Sequence, residues 1–329
     1  MIRIALLDDY QHVALRCANW KALPPEAQVE AFHDVIQDAN ELVERLEPFH
    51  VVMALRERTP FPRELLERLP NLRLIASAGM RNAAIDVEAA TALGILVCGT
   101  TGSLRPTVEL TWGLMIAALR RIPEAGALLR RGEWQPAPGV GLDGKTLGLI
   151  GLGNIGAQMA EIARAFRMKI VAWSENLTRE RAAECGAEKV SKEELLRTAD
   201  VVSIHLRLSG RTQGLIGARE LALMKPTAYL VNTSRGPIVE ERALVEALRQ
   251  RRIAGAGLDV FDQEPLPPGH PLRTLDNVVA TGHLGYVTEE VYRIFYEQTL
   301  ENVQGWLRGA PTRVINPEAL PRLRPRPQG

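Results

Sequence analysis

Cysteine is scarce: Cys17, Cys98 and Cys185 are the only three in 329 residues, and they lie far apart. An odd, scattered set supports neither a disulfide framework nor a zinc site. All three thiols are therefore expected to be structural, no metal is expected, and a reducing cytoplasm is the expected compartment. An excess of charge of one sign is missing too. The chain carries 40 Lys and Arg against 39 Asp and Glu, a net charge of +1, so no nucleic acid or acidic membrane surface is expected as a partner. No apolar run approaches the roughly 20 residues that cross a bilayer. In MIRIALLDDY the acidic residues come too early for a signal peptide, and the stretch reads as a buried strand. Repeats at solenoid periods are absent. What remains is an ordinary globular composition, 46% hydrophobic and 24% charged, with length for about two domains.

Short β-type runs alternate with helical patterns over most of that length. In the first third the runs are IRIALL, VEAF, VVMAL, LRLIASA and ILVCG, separated by helix-like segments such as DANELVERL and PRELLERL. This alternation predicts an α/β fold with a doubly wound parallel sheet. From Pro106 to Arg131 a long amphipathic stretch predicts one helix bridging two domains. A Gly- and Pro-rich loop follows, then a second series of strands: TLGLIG, KIVAW, VVSIHL, AYLVN, GAGLDV and NVVATG. The helix TEEVYRIFYEQTLENVQGWL is expected to return to the first domain, and the tail PRLRPRPQG, poor in apolar residues, to be loose.

The sharpest local motif is Gly151-Leu152-Gly153-Asn154-Ile155-Gly156, between the strand KTLGLI and the helix AQMAEIARAF. In that setting Gly151 permits a tight turn, Gly153 admits a pyrophosphate to the backbone, and Gly156 lets helix and strand pack closely. The helix N-terminus attracts the negative charge. An acidic residue is expected about 20 positions on, at the end of the second strand. There Ser174 takes the place of an Asp and Glu175 follows. Glu175 favours NAD, by binding the ribose hydroxyl and repelling a 2′-phosphate, whereas Ser174 with Arg179 or Arg181 would tolerate NADP.

Three later stretches put polar residues just past strand ends, where open α/β sheets hold their ligands. They are Asn232-Thr233-Ser234-Arg235-Gly236, Leu258-Asp259-Val260-Phe261-Asp262-Gln263-Glu264-Pro265 and Thr281-Gly282-His283-Leu284-Gly285-Tyr286. Singly, Arg235 could pair with a surface acid, Glu264 could be solvated, and His283 could cap a loop. Together they supply a fork for a carboxylate, an acid partner for an imidazole, and an imidazole able to exchange a proton near neutral pH. Gly282 and Gly285 are expected to supply the backbone freedom of the last loop.

GLGNIG, VNTSRGPIVEERALVEAL, AGLDVFDQEPLP and ATGHLG, in this order and spacing, resemble the D-2-hydroxyacid dehydrogenase family. NLRLIASAG, IDVEAATALGILV and VELTWGLM agree, so the resemblance covers about Arg56 to Gly285. It implies two Rossmann-like domains with an active-site cleft between them. The flavodoxin-like substrate domain would comprise residues 1–102 and 292–329, and the NAD(P)-binding domain residues 103–291. It also implies a homodimer formed through the cofactor domain, with the Pro106–Arg131 helix and the loop after it in contact.

Carried over by position, Arg235 would bind the substrate carboxylate and polarise the carbonyl. His283 would be the acid in reduction and the base in oxidation, held by a charge-assisted hydrogen bond to Glu264. Asp259 would orient the carboxamide end of the cofactor, and Asn154, Ile155, His205, Thr233, Ser234 and Thr111 would join the glycines and Ser174–Glu175 in binding it. The backbone at Ala78, Gly79 and Met80 would receive the substrate carboxylate, with Arg56 beside it. The chain departs from the family in that loop: Ala84 lacks the usual amide, and Arg81 introduces a guanidinium that suits either a second anionic group on the substrate or a structural ion pair.

The implied activity is the NAD(P)-dependent interconversion of a 2-keto acid and a D-2-hydroxy acid. Glu264 stands where formate oxidation would require Gln. Phosphoglycerate oxidation stays open, although no regulatory domain follows Trp306, and glyoxylate or hydroxypyruvate reduction is equally open. The alternative is an NAD-binding sensor or scaffold, similar to corepressors of the same fold, without physiological turnover.

Overall fold

Runs such as IRIAL and VVMA are apolar at nearly every position, the pattern of strands covered on both faces, and they build two all-parallel sheets. The structure, a computed structural model, describes residues 1–135 and 137–325. It divides into two units, one of Met1–Ser103 with Thr288–Gly329 and one of Leu104–Val287. The second crossing precedes the expected residue 292 because Thr288 is the N-cap of the last helix, its hydroxyl accepting the Val291 N–H, and that whole helix belongs to the first unit.

In the first unit β1 (Ile2–Leu6), β2 (Ala27–Ala31), α1 (Ala39–Leu46), β3 (Val51–Ala54), α2 (Arg63–Glu67), β4 (Leu74–Ser77), α3 (Val87–Ala92) and β5 (Leu96–Cys98) alternate. The sheet order β2-β1-β3-β4-β5 reverses direction beside β1, which is the flavodoxin-like arrangement. Leu46, Phe49, Leu66, Leu69 and Ile75 form a core with no exposed surface to speak of.

The second unit begins with α4 (Arg105–Leu119) and α5 (Ile122–Arg130), followed by β6 (Thr146–Ile150), α6 (Asn154–Ala165), β7 (Lys169–Trp173), α7 (Arg179–Glu184), β8 (Glu188–Lys189) and α8 (Lys192–Thr198). It continues with β9 (Val201–Ile204), α9 (Ala218–Leu223), β10 (Tyr229–Asn232), α10 (Glu241–Arg249), β11 (Gly255–Leu258) and β12 (Val278–Ala280). The order β12-β11-β10-β9-β6-β7-β8 changes direction between β6 and β9, and separate apolar cores cover the sheet. The last helix, α11 (Glu289–Arg308), packs on β4 of the first unit.

Two expectations are corrected. The stretch from Pro106 to Arg131 is two helices, α4 and α5, broken at Arg121, which adopts φ 54°. Pro123 has no N–H for the Leu119 carbonyl, and that carbonyl instead accepts the Val140 N–H at 2.9 Å. The tail is not loose through residue 325: Pro317–Arg322 forms a 3-10 turn, and the Arg324 guanidinium donates to the carbonyls of Leu69, Leu72 and Leu93. Residues 326–329 of the tail lie outside the described residues.

Candidate active site

The glycine loop sits at the carboxyl end of β6, where the strand order reverses. Gly151 has φ 101°, and a Cβ there would lie 2.5 Å from the His205 carbonyl oxygen. A Cβ on Gly156 would lie 2.2 Å from the Gly151 oxygen, so both positions demand glycine. Nothing stands within 4 Å of a Cβ at Gly153, the N-cap of α6. The first-turn N–H groups of Asn154 and Ile155 have no intrahelical acceptor. An open glycine at the positive end of a 12-residue helix fits a pyrophosphate.

Ser174, half-buried, and the exposed Glu175 follow β7 directly, and the Gly151 N–H donates to the Trp173 carbonyl at 2.8 Å. The acidic candidate is thus held beside the phosphate loop. His205 directly follows β9, with its Nε2 atom 2.9 Å from the Ser203 hydroxyl. Desolvation pushes its imidazole down to about 3, so the ring is neutral at physiological pH.

After β10 the chain turns on Asn232, which is 2% exposed. Its amide donates to the Arg235 carbonyl at 3.0 Å, and its oxygen accepts the Ser234 N–H at 3.0 Å. The Ser234 hydroxyl donates to the Ile204 carbonyl at 2.7 Å, and one Arg235 nitrogen donates to the Ser234 carbonyl at 2.6 Å. Thr111 does not face a ligand as expected, because it is completely buried. Its one proton goes to the Thr107 carbonyl at 2.6 Å, so it accepts from the Thr233 hydroxyl at 2.8 Å. Thr111 fixes Thr233 from α4.

His283 Nδ1 lies 2.6 Å from Glu264 Oε2, and the other Glu264 oxygen accepts the Phe261 N–H at 2.9 Å. The two side chains are 19% and 33% exposed, so the pair can exchange protons with solvent. The expectation for the flanking glycines is corrected. It is His283 itself that adopts φ 56°, whereas Gly282 and Gly285 keep ordinary φ values. A non-glycine residue in this region is uncommon and must be held there by its surroundings.

The holder is Asp259. Its carboxylate accepts the Thr281 hydroxyl at 2.6 Å, the Leu284 N–H at 2.7 Å and the Gly285 N–H at 2.9 Å, while its carbonyl accepts the His283 N–H at 2.8 Å. Burial pushes this carboxyl above its ordinary range. Gly285 is needed for close approach: a Cβ there would crowd Asp259 and Thr107 at 3.2–3.4 Å. Reading the sequence missed this loop-holding role, as it missed Asn232, although Asn and Asp at strand ends are turn signals.

In the first unit, Arg56 has φ 59° and donates to the Ala78 carbonyl at 3.1 Å. Two of the three backbone N–H groups expected to receive the substrate carboxylate are already engaged. The Ala78 N–H is taken by the Ala54 carbonyl and the Gly79 N–H by the Thr100 hydroxyl, at 2.9 and 2.8 Å. Among the described residues, the N–H groups of Met80 and Arg81 have no protein acceptor. Both side chains are exposed. Asn82, absent from the expected set, donates to the Arg56 carbonyl and ties the two loops.

The model of the D-isomer specific 2-hydroxyacid dehydrogenase NAD-binding domain matches residues 112–285. The chain is 46% identical over 268 residues to a glyoxylate reductase of Aeropyrum pernix, covering 78% of this chain and 80% of that protein. It is 39% identical over 313 residues to a D-3-phosphoglycerate dehydrogenase of Methanocaldococcus jannaschii, covering 94% of this chain but 58% of that longer protein. A crystal structure of phosphoglycerate oxidoreductase from Vibrio cholerae o395 superposes with a TM-score of 0.88 at 38% identity, covering 94% of this chain and all of that one.

Proposed function

The chain belongs to the D-isomer specific 2-hydroxyacid dehydrogenases and is an NAD(P)-dependent oxidoreductase of 2-keto and D-2-hydroxy acids, and on that premise we propose that it reduces glyoxylate, with His283 as the proton donor. The observation that carries the proton-transfer assignment is the 2.6 Å contact of His283 with Glu264. Glyoxylate is supported by the 46% identity to a protein of that name, 80% of whose length is covered. No finding favours a scaffold without turnover.

The residues of the glycine loop would hold the cofactor pyrophosphate, Ser174 and Glu175 its ribose, and Thr233, Ser234, His205 and Asp259 its remaining contacts. When bound, the cofactor supplies the hydride. Arg235 offers a planar fork to the substrate carboxylate and a positive charge to the carbonyl. His283 keeps Nδ1–H on Glu264, so Nε2 is the atom that releases a proton to the nascent alkoxide and recovers it in oxidation. In the first unit we assign the Met80 and Arg81 N–H groups and the Arg56 guanidinium to the substrate.

Homodimerisation through the second unit belongs to the same proposal. It is supported by Ile122 and Leu129 on α5 and Trp134 beyond it, which are 52%, 56% and 74% exposed, an unusual concentration of exposed apolar surface. Cytoplasmic residence is supported by three free thiols. Following NADH and NADPH absorbance with glyoxylate, hydroxypyruvate and 3-phosphohydroxypyruvate tests the activity. Turnover of glyoxylate with the highest kcat/KM is expected. Cofactor binding without oxidation by any 2-keto acid would overturn the proposal.

A further inference from the structure

The unit that carries Glu264 and His283 holds a second histidine–carboxylate pair. His270 Nε2 lies 3.0 Å from Glu241 Oε1. The Nδ1 atom of the same ring accepts the Leu272 N–H at 3.3 Å, capping the 3-10 turn Pro271–Arg273. Nδ1 is therefore unprotonated and Nε2–H donates to Glu241. The second Glu241 oxygen accepts the Asp262 N–H at 3.1 Å. Burial first, and then the Glu241 charge, push the Asp262 carboxyl above its ordinary range.

Asp262 lies in the short segment that ends at Glu264. Two successive N–H groups of this segment are each taken by a carboxylate oxygen: Phe261 by Glu264 itself, and Asp262 by Glu241. The same segment is closely approached by Gly236, the residue after Arg235. A Cβ there would lie 2.1 Å from the Phe261 carbonyl carbon and 2.6 Å from the Asp262 nitrogen. Backbone this tightly apposed cannot slide without losing the Asp262–Glu241 bond. The position of the Glu264 carboxylate, and with it the His283 contact, is thus set by a residue at the start of α10.

We infer that Glu241, oriented by His270, is a positioning residue for the reaction, holding the Phe261–Glu264 turn so that Glu264 meets His283. This rests on the assignment of Glu264 and His283 to proton transfer. Neither Glu241 nor His270 touches substrate or cofactor in that assignment. Their effect passes through Glu264 alone, and such coupling is what a double-mutant cycle measures.

The test compares kcat for 2-keto acid reduction in the wild type, Glu241→Ala, Glu264→Gln and the double variant, with NADH binding measured by fluorescence. Glu241→Ala is expected to lower kcat about tenfold with NADH affinity unchanged, but less than twofold when Glu264 is already Gln. His270→Ala leaves the Glu241 acceptors in place, and is expected to lower kcat two- to fivefold, again only while Glu264 is present. Equal losses in both backgrounds, or no loss at all, would overturn the inference and leave the proton-transfer reading standing. A wild-type kcat for Glu264→Gln alone would overturn both.

Discussion

Asp259 holds the loop of His283 at four points: its carbonyl accepts the His283 N–H, and its carboxylate accepts the Thr281 hydroxyl and the Leu284 and Gly285 N–H groups. A left-handed histidine is stable there because a buried acid takes up four donors of the turn, the His283 N–H among them. Glu264 then fixes the ring from Nδ1. One acid shapes the backbone and the other orients the imidazole.

Replacing Asp259 with Asn leaves one acceptor oxygen where three donors converge, so at least one of the Leu284 and Gly285 N–H groups is left unsatisfied. An unmet buried hydrogen bond costs about 1–3 kcal/mol, and the His283 loop is where that cost falls. Asp259→Asn should lower kcat by roughly tenfold to a hundredfold, read in steady-state assays. Activity within twofold of wild type would show that the loop does not depend on this carboxylate.

Gly236 should tolerate no side chain. A methyl group would collide with the Phe261–Asp262 backbone, which cannot retreat as a flexible side chain would. Overpacking of this kind costs about 1–3 kcal/mol. Gly236→Ala should lower the midpoint of urea unfolding and also cut kcat/KM, because it separates the Arg235 turn from the Glu264 turn. A variant of unchanged stability and activity would contradict the apposition.

Asp8 gives a prediction about pH. It is 1% exposed and accepts the Thr59 hydroxyl at 2.9 Å, and burial pushes its carboxyl from 3.8 up to about 6. Above pH 6 it is ionised in both the folded and unfolded states, and the fold bears the full cost of desolvation. Between pH 6 and 4 the folded carboxyl takes up a proton that the unfolded one does not, and the cost fades. Asp8→Asn should therefore stabilise by on the order of 3 kcal/mol at pH 7 and by little at pH 4. Asn also suits the φ of 60° at this position. Urea unfolding at the two pH values decides it: equal gains at both would remove burial of the charge as the cause.

Much of this was legible in the sequence where chemistry and backbone demands coincide. Gly151, Gly153 and Gly156 announce a phosphate loop because the first and last exclude a side chain against backbone and the middle one leaves the helix N-terminus open, and the apolar runs announce parallel strands because both faces are covered. β8 escaped notice because Glu188–Lys189 is a two-residue edge strand with exposed side chains and no apolar signal. The break after α4 follows from Pro123, but it was hidden by apolar periodicity that runs on through the proline. Thr111 and Ala78 show a different limit. Residue type gives the donors and acceptors a residue has, but which of them the fold has already engaged is visible only in three dimensions.

The most direct test of the account is the rate of 2-keto acid reduction in His283→Ala at saturating NADH, alongside NADH binding by fluorescence. Loss of a general acid should lower kcat by about 10²–10⁴-fold while NADH affinity stays within twofold. A His283→Ala enzyme that binds NADH and turns over at the wild-type rate would contradict the assignment of proton transfer to this residue.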